Sequence, residues 1–274
     1  MQKLFTTYIN GIEERDLFSS DHALAKSRLF KYKKTVLEKN ISSIVKDIQK
    51  RLIKKCGNNL KAIILYGSWA KGTASKHSDI DIFALFEKAD KKTKEFVNQI
   101  TSSVKEKYNW ERDITTVISS LEDFLKEKNP LYTAVKREGM VLWGDTDLSV
   151  NPEPPEKKYS DFFAKSRQFE SRKVSMAEEL LRKGYHSGIT DLCFIPSKHA
   201  IQASLAMKGE GYSSKVAVLL PLARRYFGEK IGDHFNALFK IYTKSEYEME
   251  ILSPEEAGEA VKHAKEILKV YDAI

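Results

Sequence analysis

Cysteine is almost missing from this chain: Cys56 and Cys193 are the only two in 274 residues. They stand far apart and lack the spacing of a metal-ligand set. The reading is a reduced, cytoplasmic protein with two packing thiols. Long apolar runs are missing as well. The longest, from Val216 to Ala223, contains Pro221 and is far too short to cross a bilayer. The opening Met1-Gln2-Lys3-Leu4-Phe5 lacks the apolar core of a signal peptide, so neither secretion nor membrane insertion is expected. No internal repeat or low-complexity tract is present. Disorder is excluded by an apolar fraction of 42%, ordinary for a chain that builds cores.

Acidic residues are short in one half only. Residues 1–150 hold 27 Lys and Arg against 20 Asp and Glu, whereas residues 151–274 hold 19 against 18. The excess gathers between Lys26 and Lys55, where Glu38 and Asp47 are the only acids. Such a segment can touch nucleic acid weakly through phosphates. A solvated helix face explains it more simply, because its apolar stripe has to be buried.

The length suits two modest domains. Residues of about 20–55 read as one basic helix, with Leu29, Val36, Leu37, Ile41, Ile44, Val45, Ile48 and Leu52 at three- and four-residue spacings. A strand is expected over Lys61–Tyr66, a loop over Gly67–Ser78 and a second strand over Asp79–Phe86. A surface helix over 88–107 follows, then a β-branched strand over Asp113–Ser119. Two short helices over 121–128 and 130–138 lead to a last strand at 139–144. Asn151-Pro152-Glu153-Pro154-Pro155 is the strongest break, since three prolines within four residues continue neither a helix nor a central strand. Domains are therefore expected at 1–150 and 157–274, joined by a proline-rich linker at 151–156. Everything after the linker reads helical. The last helix opens on Ser253-Pro254-Glu255-Glu256, a capping sequence with proline in the first turn.

The chemistry concentrates in Leu65-Tyr66-Gly67-Ser68-Trp69-Ala70-Lys71-Gly72-Thr73 and in Ser78-Asp79-Ile80-Asp81. Side chains two apart on a strand share a face, so Asp79 and Asp81 project together. Two carboxylates so placed repel unless a cation or a proton intervenes. The Gly67-Ser68 turn offers backbone N–H groups and a hydroxyl suited to a triphosphate tail. Together these residues predict Mg²⁺-dependent phosphoryl chemistry. Trp69 is expected to pack the loop against the first helix, and His77 to be an exposed polar residue.

Gly67-Ser68-x-Ala70-x-Gly72, followed by Ser78-Asp79-x-Asp81, resembles the signature of the polymerase-β-type nucleotidyltransferase superfamily, over roughly residues 60–145. The minimal and kanamycin-type nucleotidyltransferases are the most similar branches. The resemblance implies an α/β (α+β) domain with a small mixed sheet flanked by helices. It also implies two Mg²⁺ (or Mn²⁺) ions held by Asp79, Asp81 and a third carboxylate. Asp113 is the candidate for the third, with Glu111 as the fallback. Gly67, Ser68, Lys71, Gly72 and Ser78 would bind the nucleotide, with Lys76 a further source of positive charge. The implied reaction transfers NMP, AMP from ATP in the first instance, to a hydroxyl with release of pyrophosphate. The acceptor would be a protein such as a toxin-like partner, or a small molecule such as an aminoglycoside. Lys71-Gly72-Thr73 also resembles the loop of enzymes that extend tRNA ends, and a non-catalytic, antitoxin-like nucleotide-binding module is a further alternative. A homodimer is compatible with either enzyme reading.

Residues 157–274, with Lys198-His199-Ala200-Ile201-Gln202-Ala203 followed by Gly209, resemble a HEPN-type helical bundle. Ribonuclease members of that family carry Arg, four to six residues, then His. Here Arg182 and His186 are separated by three residues, and Arg225 and His234 by eight. Ribonuclease activity is therefore not implied.

Overall fold

The computed structural model describes residues 39–186 and 188–274. The part of the expected basic helix before residue 39 lies outside them. The described chain forms two compact units. The first includes residues up to Leu121 and then Glu138–Thr146, and the second holds Glu122–Arg137 and Asp147–Ile274.

In the first unit, helix α1 (Lys39–Cys56) is followed by β1 (Leu60–Tyr66), a single helical turn α2 (Gly67–Lys71), β2 (Ile80–Phe86), α3 (Lys91–Lys107) and β3 (Ile114–Ser120). After α4 (Leu121–Lys126) and α5 (Pro130–Glu138), the chain returns as β4 (Met140–Gly144). The sheet order is β3-β2-β1-β4, with β1 antiparallel to both its neighbours and β2 parallel to β3. The helical spacing read from the sequence is the spacing that is buried: Ile41, Ile44, Val45, Ile48 and Leu52 of α1 pack with Val97 and Val104 of α3 and with sheet residues such as Leu65 and Ile82. Strand β2 is buried on both faces from Ile82 to Phe86, so it reads as a continuous apolar run. Its one half-buried position is Asp81, near the start of the strand.

The second unit is helical throughout. After α4 and most of α5 come α6 (Pro155–Lys158), α7 (Ser160–Arg182), α8 (Ile189–Met207), α9 (Val216–Phe227), α10 (Glu229–Glu246) and α11 (Pro254–Leu268), closed by a 3₁₀ turn. Its core joins Val174, Cys193, Phe194, Phe235, Ala260 and Ile267, among others. Helix α8 opens at Ile189 and carries Pro196 inside it. The Ser253–Glu256 capping box forms at the start of α11 as its sequence dictates. Both cysteines are free, and burial pushes the Cys193 thiol up to about 12, as befits a packing residue. Among the described residues no helix is long and apolar enough to cross a membrane.

Within this unit a buried ionic cluster ties residues 127–136 to residues 149–158. Glu127 is fully buried and accepts from Lys136 Nζ at 2.7 Å, Lys158 Nζ at 3.0 Å, Thr133 Oγ1 at 2.8 Å and the Asn151 N–H at 2.6 Å. The lysines also donate to the carbonyls of Ser149 and Asn151. Burial alone would raise the Glu127 pKa, but the donors outweigh it and hold the carboxyl below its ordinary range.

Candidate active site

The site sits where β1 ends and β2 begins. Strand β1 runs into α2 without a loop: Gly67 adopts φ +70 and turns the chain directly into a helical turn. A Cβ on Gly67 would lie 2.2 Å from Asp81 Oδ2, so glycine is what allows that carboxylate to nestle under the turn. At the far end, Gly72 takes φ +74, and the N–H groups of Gly72 and Thr73 close the turn on the carbonyls of Trp69 (3.4 Å) and Ser68 (3.0 Å). The expected loop over 67–78 is thus a helical turn plus a shorter loop.

The carboxylates are brought together from two strands. Asp81 pairs with Tyr66 across the antiparallel ladder and with Thr115 across the parallel one. The Ile80 N–H donates to the Asp113 carbonyl at 2.9 Å, which carries the register one residue further and sets Asp79 beside Asp113. All three project on one face of adjacent strands. Burial, then the charges of Asp79 and Asp113, raises the Asp81 pKa to about 6. Burial and the Asp81 charge push the Tyr66 phenol well above its ordinary range. Asp113 behaves oppositely: an ion pair with Lys105 and the Ile114 N–H at 2.9 Å hold its carboxyl below the ordinary range. Both donors fall on Oδ1. Glu111 lies in a turn before β3, where Asn109 and Trp110 have positive φ and its N–H bonds Tyr108, so it takes no place in the strand.

The other expected site residues are placed as follows. Ser68 lies on α2. The Ser78 hydroxyl accepts from the Ser75 N–H at 2.8 Å and serves the turn. Lys71 pairs with Glu138 at 2.7 Å. Lys76 and His77 are exposed. Trp69 packs against the α1-side core, and its indole N–H reaches the Ser78 carbonyl at 3.3 Å. Sequence reasoning missed Lys105 and Glu138, which have no motif: each meets its partner only through the fold.

A divalent cation fits this donor set. Among the described residues, no group of three or more His, Cys, Asp or Glu side chains is already drawn together tightly enough to hold an ion. Burial first, and then the charges of Asp79 and Asp113, disfavour the ionised Asp81, a cost that a bound cation would offset, and every donor is a hard oxygen.

A four-stranded mixed sheet whose first strand ends in a glycine turn lying against Asp81 is the frame of a nucleotidyltransferase domain. The family models agree: residues 46–144 match "Polymerase beta, Nucleotidyltransferase", and residues 171–274 match "HEPN domain". The chain joins a polymerase-β-type nucleotidyltransferase domain to a HEPN domain. One relative, "Putative protein adenylyltransferase MJ1305" of Methanocaldococcus jannaschii, is 29% identical over 100 residues, 36% of this chain and 68% of its own length. Among solved structures, spectinomycin adenyltransferase AAD(9) from Enterococcus faecialis, with ATP and spectinomycin, aligns over 83% of this chain and 99% of its own. Its identity is 13% and its TM-score 0.46. A toxin-antitoxin structure with AMP-PNP aligns over 48% of this chain and 95% of its own, at 18% identity and TM-score 0.27.

Proposed function

We propose that this chain transfers AMP from ATP to a hydroxyl of a protein and releases pyrophosphate. The observation that carries the reading is the strand register that lines Asp79, Asp81 and Asp113 along one face, with the Asp81 carboxylate against Gly67 and its pKa raised to about 6. The name of the archaeal relative supports adenylyl transfer to protein.

The geometry supports the following roles. Gly67 makes room for the Asp81 carboxylate under the turn, and the N–H groups of α2 with the Ser68 hydroxyl would receive the oxygens of a phosphate chain. Asp79, Asp81 and Asp113 would hold Mg²⁺, which when bound lowers the pKa of an acceptor hydroxyl and offsets charge on pyrophosphate. Lys105 keeps Asp113 ionised and oriented through Oδ1. The acceptor oxygen attacks the α-phosphorus, the bond to the β-phosphate oxygen breaks, and the acceptor proton is lost to solvent.

The test is incubation of the full chain with α-labelled ATP and Mg²⁺, alone and with a lysate, an aminoglycoside or RNA. Label on protein is the expected result. Label on the aminoglycoside or on RNA would replace the acceptor. Nucleotide binding without transfer to any of them would leave a binding module. Asp79→Asn with Asp81→Asn should abolish transfer while the chain stays folded.

A further inference from the structure

Three residues that the reaction does not use stand directly behind three that it does. Trp69 follows Ser68, Ser78 precedes Asp79, and Arg112 precedes Asp113. They are joined to one another. The Trp69 indole N–H donates to the Ser78 carbonyl at 3.3 Å, and the Arg112 guanidinium lies 6.0 Å from the Trp69 ring centroid. Ser78 is itself fixed by a local turn: its N–H donates to the Ser75 carbonyl at 3.0 Å, and its hydroxyl accepts from the Ser75 N–H at 2.8 Å.

Arg112 has a further oddity: its Nη1 is buried and has no hydrogen-bond partner. A buried, unmatched donor is costly, so its retention calls for a compensating contact. The face of Trp69 supplies one, since a guanidinium over an indole is attracted by the ring quadrupole. The three segments that must meet for catalysis have no covalent link at this point. They come from the end of β1, the lead into β2 and the lead into β3.

We propose that Trp69 and Arg112 are positioning residues, forming a brace that holds the phosphate turn and the metal carboxylates in a common register. The proposal rests on the assignment of Asp79, Asp81 and Asp113 as the metal ligands. Groups that orient ligands from behind typically change metal affinity 10–100-fold when removed. Trp69 acts here through the backbone of the residue before a ligand. Its N–H therefore sets where Asp79 stands relative to Ser68, while its ring contributes ordinary packing to the core.

Trp69→Phe keeps an aromatic ring for the core and for Arg112 but removes the N–H. The readout is Mn²⁺ affinity, measured by the electron spin resonance of free Mn²⁺ with a nonhydrolysable ATP analogue present. The expected result is roughly 10–100-fold weaker Mn²⁺ binding in a chain whose circular dichroism and unfolding midpoint stay near wild type. Trp143→Phe is the packing control, because Trp143 borders the same core from β4 and pairs with Ile63 rather than with a site residue. It should leave Mn²⁺ affinity unchanged. Wild-type affinity in a folded Trp69→Phe protein, or equal weakening in Trp143→Phe, overturns the brace. Should Trp69→Phe fail to fold, Arg112→Met decides: weakened Mn²⁺ binding supports the brace and unchanged binding overturns it. Wild-type Mn²⁺ binding by Asp79→Asn with Asp81→Asn would instead refute the ligand assignment beneath it.

Discussion

Replacing Asp81 by asparagine should make the first unit more stable at pH 8 even as it destroys the site. The Asp81 carboxyl is raised from 3.8 to about 6, by burial first and then by Asp79 and Asp113. The folded state therefore binds this proton more tightly than the unfolded chain does. The contribution to stability is fully present below the unfolded value near 4 and is lost as pH rises through 6. Taken whole, a shift of this size corresponds to about 3 kcal/mol at high pH. Asp81 is only half-buried, and screening reduces this to about 1–2 kcal/mol. An asparagine side chain cannot ionise, so Asp81→Asn should gain that amount at pH 8, and the gain should fade as pH drops from 6 toward 4. Added Mg²⁺ should stabilise the wild type and leave the variant unmoved. The assay is urea unfolding followed by tryptophan fluorescence. Trp69, Trp110 and Trp143 are the only tryptophans and all lie in the first unit, so the signal reports that unit alone. An Asp81→Asn protein with no gain at pH 8, or with the same gain at pH 4.5, would refute the electrostatic reasoning.

Gly67→Ala should cost at least 1–3 kcal/mol on the same fluorescence assay and reduce AMP transfer by more than about 100-fold. It places a Cβ against Asp81 Oδ2 at a backbone φ of +70, and a variant with unaltered kcat would show that the close approach is unneeded. Glu127→Ala strands Lys136 and Lys158 in the interior of the second unit and should cost it about 3–5 kcal/mol. Helix circular dichroism reads that loss. Because the native pKa of Glu127 is held low, its stabilisation is present above the ordinary carboxylate value and lost as pH falls through the lowered one. The wild-type advantage over Glu127→Ala should therefore shrink only in strong acid.

Much of this architecture is legible in the sequence. Apolar spacing located α1, a capping sequence located the start of α11, and β-branching located β3 to within a residue. These signals survive because each is local: a stripe, a cap or a run needs no distant partner to be read. The helical turn at 67–71 was not legible, because glycine, serine and tryptophan are weak helix formers and the turn is held by its position at the end of β1. The extent of α8 is masked in the sequence by Pro196, which favours a first turn but lies inside the helix, where tertiary packing prevails. The spacing Asp79-x-Asp81 gave the pair, but Asp113 was separable from Glu111 only through the turn that lifts Glu111 out of β3. Lys105, Arg112 and Glu138 carry no pattern of their own. They acquire meaning from contacts across 8, 43 and 67 residues of chain, respectively.

The Glu127 cluster bears on how this molecule can be dissected. Its carboxylate precedes β4, whereas Lys158 and Asn151 follow it. A gene fragment ending at the prolines would keep the acid and lose half of its cations, and a fragment beginning there would inherit a lysine with nothing to neutralise. Neither piece excised at that seam is a fair stand-in for the portion it was cut from, so assays of isolated halves would report on damaged interiors.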